Sequence, residues 1–108
     1  MPIQKRAFAG ALCGLMIAAA ASAAPTTVSQ KDKTFDPEQL TLPAGGSLHI
    51  VNDDTVVHNV QVAAPDGTNQ NLGVQKAGDA VDFAFDKAGD YKVHCGIHPK
   101  MKLAVHVQ

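Results

Sequence analysis

The chain has 108 residues and a mass of 11.3 kDa, which leaves room for one domain and excludes a multidomain enzyme. Nine Lys and Arg residues against ten Asp and Glu residues give a formal net charge of −1 at pH 7. A chain that is slightly acidic is a poor candidate for binding nucleic acid or an anionic membrane surface.

The first 23 residues have the layout of a secretory signal peptide. Lys5 and Arg6 are followed by an uncharged apolar stretch, and Ala21-Ser22-Ala23 fits the A-x-A cleavage pattern. The apolar stretch is marginal in length for crossing a bilayer, and no second one follows that would act as a membrane anchor. We therefore predict a signal peptide over residues 1–23 and secretion of residues 24–108 as a mature domain with formal charge −3.

The rest of the chain consists of short segments in which apolar and polar residues alternate, separated by turn residues. In chain order, the alternating segments are 40–42, 48–51, 56–62, 81–85, 91–95 and 103–107. Six to eight short strands at this spacing predict an all-β fold, an antiparallel Greek-key β-sandwich. The alternative, a small α+β domain, needs a helix within residues 69–80, where Gly73 and Gly78 disfavour one.

The chain has two cysteines, and only Cys95 lies in the predicted mature domain, because Cys13 belongs to the predicted signal peptide. A lone cysteine in an oxidising compartment cannot form an internal disulfide. An inert buried thiol, a bond to another chain and a metal ligand are the alternatives that remain.

Cys95 begins a short loop that contains further metal-binding side chains, with the spacing Cys95-x2-His98-x2-Met101. Such a loop can fold an imidazole and a thioether back towards the thiol. His58, in an upstream strand and followed by Asn59, is the natural fourth donor. Taken singly, these residues have ordinary alternatives: a structural thiol, a strand imidazole and a methionine that fills the core.

The chemistry of this donor set is selective for copper. Two imidazoles and a thiolate in a roughly trigonal plane, with a weak axial thioether, are the ligands of blue-copper sites. The site would change between charge +1 and 0 on reduction, so little solvent rearrangement is needed. Structural zinc sites usually draw on more cysteines, and methionine is an unusual zinc ligand. We therefore expect one copper ion, cycling between Cu(I) and Cu(II).

Two features resemble the type 1 copper motif of the cupredoxins: the pair His58-Asn59 and the loop Cys95-x2-His98-Pro99-x-Met101. The short loop resembles that of the amicyanin/plastocyanin-like small periplasmic branch. The resemblance extends over residues 28–107, although Lys102-Leu103 stands where the family usually has a small turn with glycine. It implies His58, Cys95 and His98 as strong ligands and Met101 as the axial ligand. It also implies that Asn59 ties the two ligand loops together beside the thiolate.

The same resemblance implies a function. We expect a monomeric one-electron carrier, not an enzyme, that serves a redox protein such as a c-type cytochrome or a dehydrogenase, with His98 as the electron exit. An apolar collar of Ile97, Pro99 and residues 63–65 around His98 would dock that partner.

Two other classes of function stay open at this point. A copper-binding protein for periplasmic sequestration and tolerance would use the same four ligands, and a metal-free interaction module would use none. His49, His94 and His106 occupy outward positions and are surface imidazoles by default. His94 and His106, on strands expected to be neighbours, are the candidates for a weak second metal site.

Overall fold

The computed structural model describes residues 24–108, which form nine β-strands and, over that range, no helix. The strands are β1 (Thr26–Lys31), β2 (Thr34–Asp36), β3 (Gln39–Leu42), β4 (Ser47–Asn52), β5 (His58–Ala63), β6 (Asn69–Gln75), β7 (Ala80–Ala84), β8 (Gly89–Cys95) and β9 (Lys102–Val107). The predicted signal peptide, with Cys13, lies outside the described residues. Within residues 24–108 no helix is long and apolar enough to cross a membrane.

The strands form two sheets, with the orders β2-β1-β4-β7 and β3-β9-β8-β5-β6. The predicted β-sandwich is confirmed, but its sheets are mixed, because β1 pairs with β4 and β3 pairs with β9 in parallel. Between β1 and β4 the chain crosses to the other sheet to form β3. A strand that returns after such a crossing is free of the hairpin constraint that makes neighbouring strands antiparallel.

The core lies between the two sheets and follows the alternation that the sequence predicts. In β4, Leu48 and Ile50 are buried, and in β9, Leu103, Val105 and Val107 are buried while the residues between them are exposed. Full burial of one such aliphatic side chain contributes about 1.5–3 kcal/mol. A one-residue slip of either strand would turn this whole apolar face to solvent, so the register is strongly specified.

Three strands, β1, β2 and β6, were not among the alternating segments of the sequence. The strand β6 is polar and mostly exposed, and its only partner in the sheet is the edge of β5. Only Leu72 and Gln75 of this edge strand face the interior, too few to impose an alternating apolar pattern on its sequence. Gly73, at φ 97°, lies in this strand opposite the register shift between Asn59 and Gln61. Its positive φ is a conformation that glycine adopts without strain.

The fold brings the predicted metal-binding segments to one end of the sandwich. The strands β5 and β8 are antiparallel neighbours with Val60 opposite Cys95, so the start of β5 lies beside the end of β8. The backbone N–H of Gly96 donates to the carbonyl of Asn59 at 2.9 Å, which continues this pairing one step into the loop. His58 and the loop of residues 96–101 are therefore adjacent.

Candidate metal centre

His58, Cys95 and His98 present their donor atoms to one point. The Nδ1 atoms of the two imidazoles are 3.1 Å apart, and Cys95 Sγ lies 3.8 Å from Nδ1 of His58 and 3.6 Å from Nδ1 of His98. In the described part of the chain, no other group of three or more His, Cys, Asp and Glu side chains converges in this way. The sequence brought the same three residues together as candidate ligands.

These separations fit a single metal ion in the plane of the three atoms. With metal–nitrogen bonds of about 2.0 Å and a metal–sulfur bond of about 2.3 Å, a trigonal arrangement spaces nitrogens about 3.5 Å apart and nitrogen from sulfur about 3.7 Å apart. The site is also largely shielded from solvent, because His58 is 0 % exposed and Cys95 is 2 % exposed. Two neutral imidazoles and one thiolate are a donor set that suits copper.

Met101 closes the ligand loop and lies inside the protein. It is 1 % exposed and belongs to the same buried cluster as Cys95. Its backbone N–H donates to the carbonyl of His98 at 3.0 Å, a tight turn that folds the loop back before β9 begins at Lys102. The strand thus starts directly after the methionine, where the cupredoxin pattern usually has a glycine turn.

Two backbone N–H groups point at the sulfur of Cys95. The N–H of Asn59 donates to Sγ at 3.3 Å and the N–H of Ile97 donates to it at 3.4 Å. Hydrogen bonds of this kind stabilise negative charge on the sulfur and therefore favour the thiolate, which is the form that binds metals. The donor from Ile97 was not foreseen, because backbone donors leave no signature in the residue types.

Asn59 connects the two ligand segments through its backbone, while its side chain lies beneath the loop and bonds to β6. Its carbonyl accepts from Gly96, whereas its Nδ2 donates to Oδ1 of Asn71 at 2.8 Å and to the carbonyl of Gly73 at 2.9 Å. Its Oδ1 accepts from Nε2 of Gln61 at 2.7 Å. The side chain therefore braces β5 against β6 under the ligand loop.

The packing at residue 96 leaves little room for a side chain. A Cβ placed there would run into Nε2 of Gln61 and Oδ1 of Asn59, the two atoms that hydrogen-bond each other beneath the loop. The absence of a side chain at Gly96 lets the ligand loop lie directly on this amide pair. The loop is thus supported from below at the residue next to Cys95.

A carboxylate holds the outer nitrogen of His58. Oδ2 of Asp54 lies 2.9 Å from Nε2 of His58, and the same oxygen accepts the backbone N–H of Lys33 at 2.9 Å. The N–H of Lys33, followed by the hydrogen bonds from His58 and Thr55, lowers the pKa of Asp54 from 3.8 to about 2, against the opposing effect of burial. An ionised carboxylate can only accept, so His58 carries its proton on Nε2 and turns the Nδ1 lone pair to the site.

The Asp54 contact was missed in the sequence, where Asp53-Asp54 reads only as a turn. The structure gives this turn its shape through Asn52, which is buried. Its Nδ2 donates to the carbonyls of Val56 and Gln75, each at 3.0 Å, and its Oδ1 accepts the N–H of Asp54 at 2.9 Å. An Asp four residues before the candidate ligand was the available signal.

His98 is the imidazole nearest to solvent and is half-buried. Desolvation is the largest cause that lowers the pKa of His98, the electrostatic effects of His58 and Lys33 add to it, and the carboxylate of Asp54 acts in the opposite direction. A lowered pKa favours the neutral ring, which is the form that binds a metal ion.

The remaining histidines do not form a second centre. His94 bonds Oδ1 of Asn69 at 2.9 Å, and His106 bonds Oδ1 of Asp90 at 2.6 Å. Their strands are neighbours, as predicted, but His94 lies opposite Lys102, four residues from His106, or about 13 Å along the strand. The two imidazoles therefore point to separate surroundings.

The predicted apolar collar around His98 is partly wrong. Ile97 and Pro99 do line the surface beside His98. Pro65 instead lies against Gly89, at the end of β8 far from Cys95. The reason is the direction of β5, which runs away from the site from His58 to Ala63.

Comparisons with known proteins extend these observations. The model of the cupredoxin-like domain family matches residues 6–106. The methylamine utilization protein MauL of Methylophilus methylotrophus is 36% identical over 70 residues, which are 63% of this chain and 40% of that protein. This chain therefore spans less than half the length of that relative.

Solved structures of copper proteins share the fold. A reduced Cu(I) form of an amicyanin variant is 26% identical with a TM-score of 0.71, over 82% of this chain and 89% of that one. The purple cupredoxin from Nitrosopumilus maritimus is 26% identical with a TM-score of 0.68, over 77% and 99%. A copper-containing nitrite reductase from Thermus scotoductus is 27% identical with a TM-score of 0.70, over 79% of this chain but 22% of that one.

Proposed function

Because the chain belongs to the cupredoxin-like family, we propose that it binds one copper ion and carries single electrons between protein redox partners. His58, Cys95 and His98 are the proposed strong ligands and Met101 the proposed axial ligand. The observation that carries the proposal is the convergence of one sulfur and two nitrogen donors, 3.1–3.8 Å apart, on a fold shared with amicyanin. Copper held there would take up and release one electron.

The residues around the donors keep them in place, which is what a fast electron carrier needs. Cys95 is fixed at the end of β8 and His58 at the start of β5, two strands in direct register. Asp54 orients the ring of His58, and the N–H groups of Asn59 and Ile97 hold the sulfur. Donors that are already fixed need little rearrangement when the charge of the site changes.

His98 gives this site a route to the surface. It is half-buried, whereas the other three proposed ligands are buried, and its neighbours Ile97 and Pro99 are exposed and apolar. An apolar surround excludes water from a docked partner and brings that partner close to the imidazole edge. The electron would therefore enter and leave through His98.

The setting of this activity is also part of the proposal. The signal-peptide pattern of residues 1–23 supports export to the periplasm, where the protein would act as a monomer. A c-type cytochrome or a dehydrogenase is the proposed partner class. The name of the relative MauL, a methylamine utilization protein, makes a dehydrogenase of amine oxidation one candidate. No substrate is transformed in this scheme, so the protein is not an enzyme.

Electron exchange with a protein partner tests the function. The copper-loaded protein is mixed in a stopped-flow instrument with a reduced c-type cytochrome, and oxidation of the haem is followed against the Cys95→Ser variant as control. For the native chain we expect the haem to be oxidised on the stopped-flow time scale. For the Cys95→Ser variant we expect no oxidation. Slow exchange, together with expression that copper induces, would instead assign the protein to copper sequestration and tolerance.

A further inference from the structure

The exposed hydrophobic side chains gather at one end of the molecule. Among residues 24–108 the large hydrophobics with substantial exposure are Val57 at 42 %, Val74 at 64 % and Ile97 at 45 %. Val57 directly precedes His58, Ile97 lies between Cys95 and His98, and Val74 pairs with Asn59 across β5 and β6. All three therefore border the proposed copper ligands.

The depression beside His98 adds positive charge to this apolar surface. It is lined by Lys33, Thr34, Ile97, His98, Pro99, Lys100 and Met101, without a carboxylate. Asp32, the exposed neighbour of Lys33, lines a different depression together with Glu38. The rim of the depression beside His98 thus carries two lysines whose charges no acidic residue of the same lining neutralises.

Lys33 is held in a fixed backbone position. Asp32 and Lys33, at φ 53° and 58°, form the two-residue turn between β1 and β2, the conformation of a type I′ hairpin. The N–H of Lys33 donates to the Asp54 carboxylate that also holds His58. The lysine on the rim and the buried ligand are therefore tied to one carboxylate.

We propose that the surface formed by Lys33, Ile97, His98, Pro99 and Lys100 docks a redox protein that presents an apolar centre surrounded by acidic side chains. The proposal rests on the function proposed above and names the chemistry of the partner. Below we call these five residues the docking face.

The charge distribution favours this partner and orients it. Residues 24–108 carry ten acidic residues and seven lysines, so an acidic protein is repelled by most of the surface. The docking face itself contributes two lysines and no carboxylate, so attraction of an acidic partner is strongest when that partner approaches His98. The apolar residues then exclude water from the contact, while the lysines at the rim set the rate of encounter.

A redox-inert anion tests the charge of the face without any bound metal. Hexacyanochromate(III), a paramagnetic trianion, broadens the amide signals of residues near which it dwells. We expect broadening at residues 33–34 and 97–100, at least fivefold weaker in the Lys33→Gln/Lys100→Gln double variant. The control variant Lys87→Gln removes an exposed lysine in the β7–β8 loop and should show the same broadening as the native protein. Broadening centred elsewhere, or unchanged in the double variant, overturns the proposal.

Electron transfer to two cytochromes of opposite charge tests the partner. The Cu(I) protein should reduce an acidic c-type cytochrome faster than a basic one at low ionic strength, after correction for driving force, and added salt should remove the difference. The Lys33→Gln/Lys100→Gln variant should react with the acidic cytochrome about tenfold more slowly at low salt. A faster reaction with the basic cytochrome, or an unaffected double variant, contradicts the proposal.

The two experiments separate the failure of the docking face from the failure of the function. A chain that binds no copper transfers electrons to neither cytochrome, which refutes the proposed function. The anion measurement still decides the charge and position of the face in that case, because it needs only the folded protein.

Discussion

Oδ2 of Asp54 lies 2.9 Å from Nε2 of His58, on the side of the ring opposite the proposed copper site. The contact fixes the tautomer of His58 and leaves the Nδ1 lone pair free for the proposed copper ion. The same oxygen accepts the N–H of Lys33, an exposed residue, and so links His58 to the surface. One carboxylate therefore supports both a buried ligand and the docking face.

Replacing Asp54 by Asn should weaken copper binding while leaving the protein folded. The amide has nearly the same size but no charge, and it can turn its NH2 group towards His58, so the ring loses its preferred orientation. We expect an affinity for Cu(I) that is lower by about 10- to 100-fold. Competition with a chromophoric Cu(I) chelator measures it. Asp53→Asn, at the exposed neighbour that bonds Ser29, is the control, and equal affinities for both variants would refute the role of Asp54.

Ile97→Pro should lower the reduction potential. Proline has no N–H, so the sulfur of Cys95 loses the donor at 3.4 Å and keeps the one from Asn59. In the native protein this hydrogen bond stabilises the more electron-rich, reduced site by about 1–2 kcal/mol. Its loss should therefore lower the potential by about 40–90 mV for one electron. Voltammetry measures the shift, and Ile97→Val, which keeps the N–H, should stay near the native potential. A potential that is unchanged or higher in Ile97→Pro contradicts the assignment.

Gly96→Ala should destabilise the protein and disturb the ligand loop. The new Cβ meets Gln61 Nε2 and Asn59 Oδ1, so the loop must lift or the amides must part, at a cost of about 1–3 kcal/mol. Urea unfolding of the copper-free protein measures this cost. Adding Gln61→Ala removes one of the two obstacles and should restore part of the loss. A double variant that is no more stable than Gly96→Ala shows that the clash lies elsewhere.

The carboxylate of Asp66, in the turn between β5 and β6, should stabilise the folded protein only at a pH where it is ionised. Oδ1 of Asp66 accepts the N–H of Thr68 at 3.0 Å and its hydroxyl at 2.7 Å, and these bonds lower the pKa of Asp66 below 3.8. A lowered folded-state pKa means that the contribution is full above the unfolded value and is lost as the pH falls through the folded value.

Comparison with a neutral side chain isolates this effect. Asp66→Asn should be less stable than the native chain at pH 7, and the difference should vanish on acidification below pH 3.8, as measured by urea unfolding of the copper-free proteins. Asp86→Asn, at an exposed position of the β7–β8 loop, controls for the loss of one charge. A difference that stays constant with pH would show that the carboxylate is not involved.

The sequence predicts the fold class and the main site because both depend on short-range patterns. Alternation places Val93 and Cys95 on the inner face of β8, and the spacing to His98 and Met101 is set within one short loop. His58 could be added from outside the loop because the donor set lacked one member. In the structure its donor atom lies close to those of Cys95 and His98.

What the sequence does not reveal depends on the register between distant strands and on backbone groups. The contact of Asp54 with Lys33 needs the β1–β2 turn to reach the loop before β5, which no pattern within either segment encodes. The displacement of Pro65 from the expected collar follows from the direction of β5. The donor of Ile97 is a main-chain group, so any residue except proline could have supplied it.

The optical and EPR spectrum of the copper-loaded protein tests the central claim most directly. For residues 24–108 loaded with Cu(II), we predict an intense thiolate-to-copper absorption in the visible and the EPR signal of a type 1 site. Cys95→Ser should abolish the band, whereas His94→Ala, at an imidazole that bonds Asn69, should leave it unchanged. A colourless protein that prefers zinc, or a band that survives in Cys95→Ser, would contradict the proposed copper site.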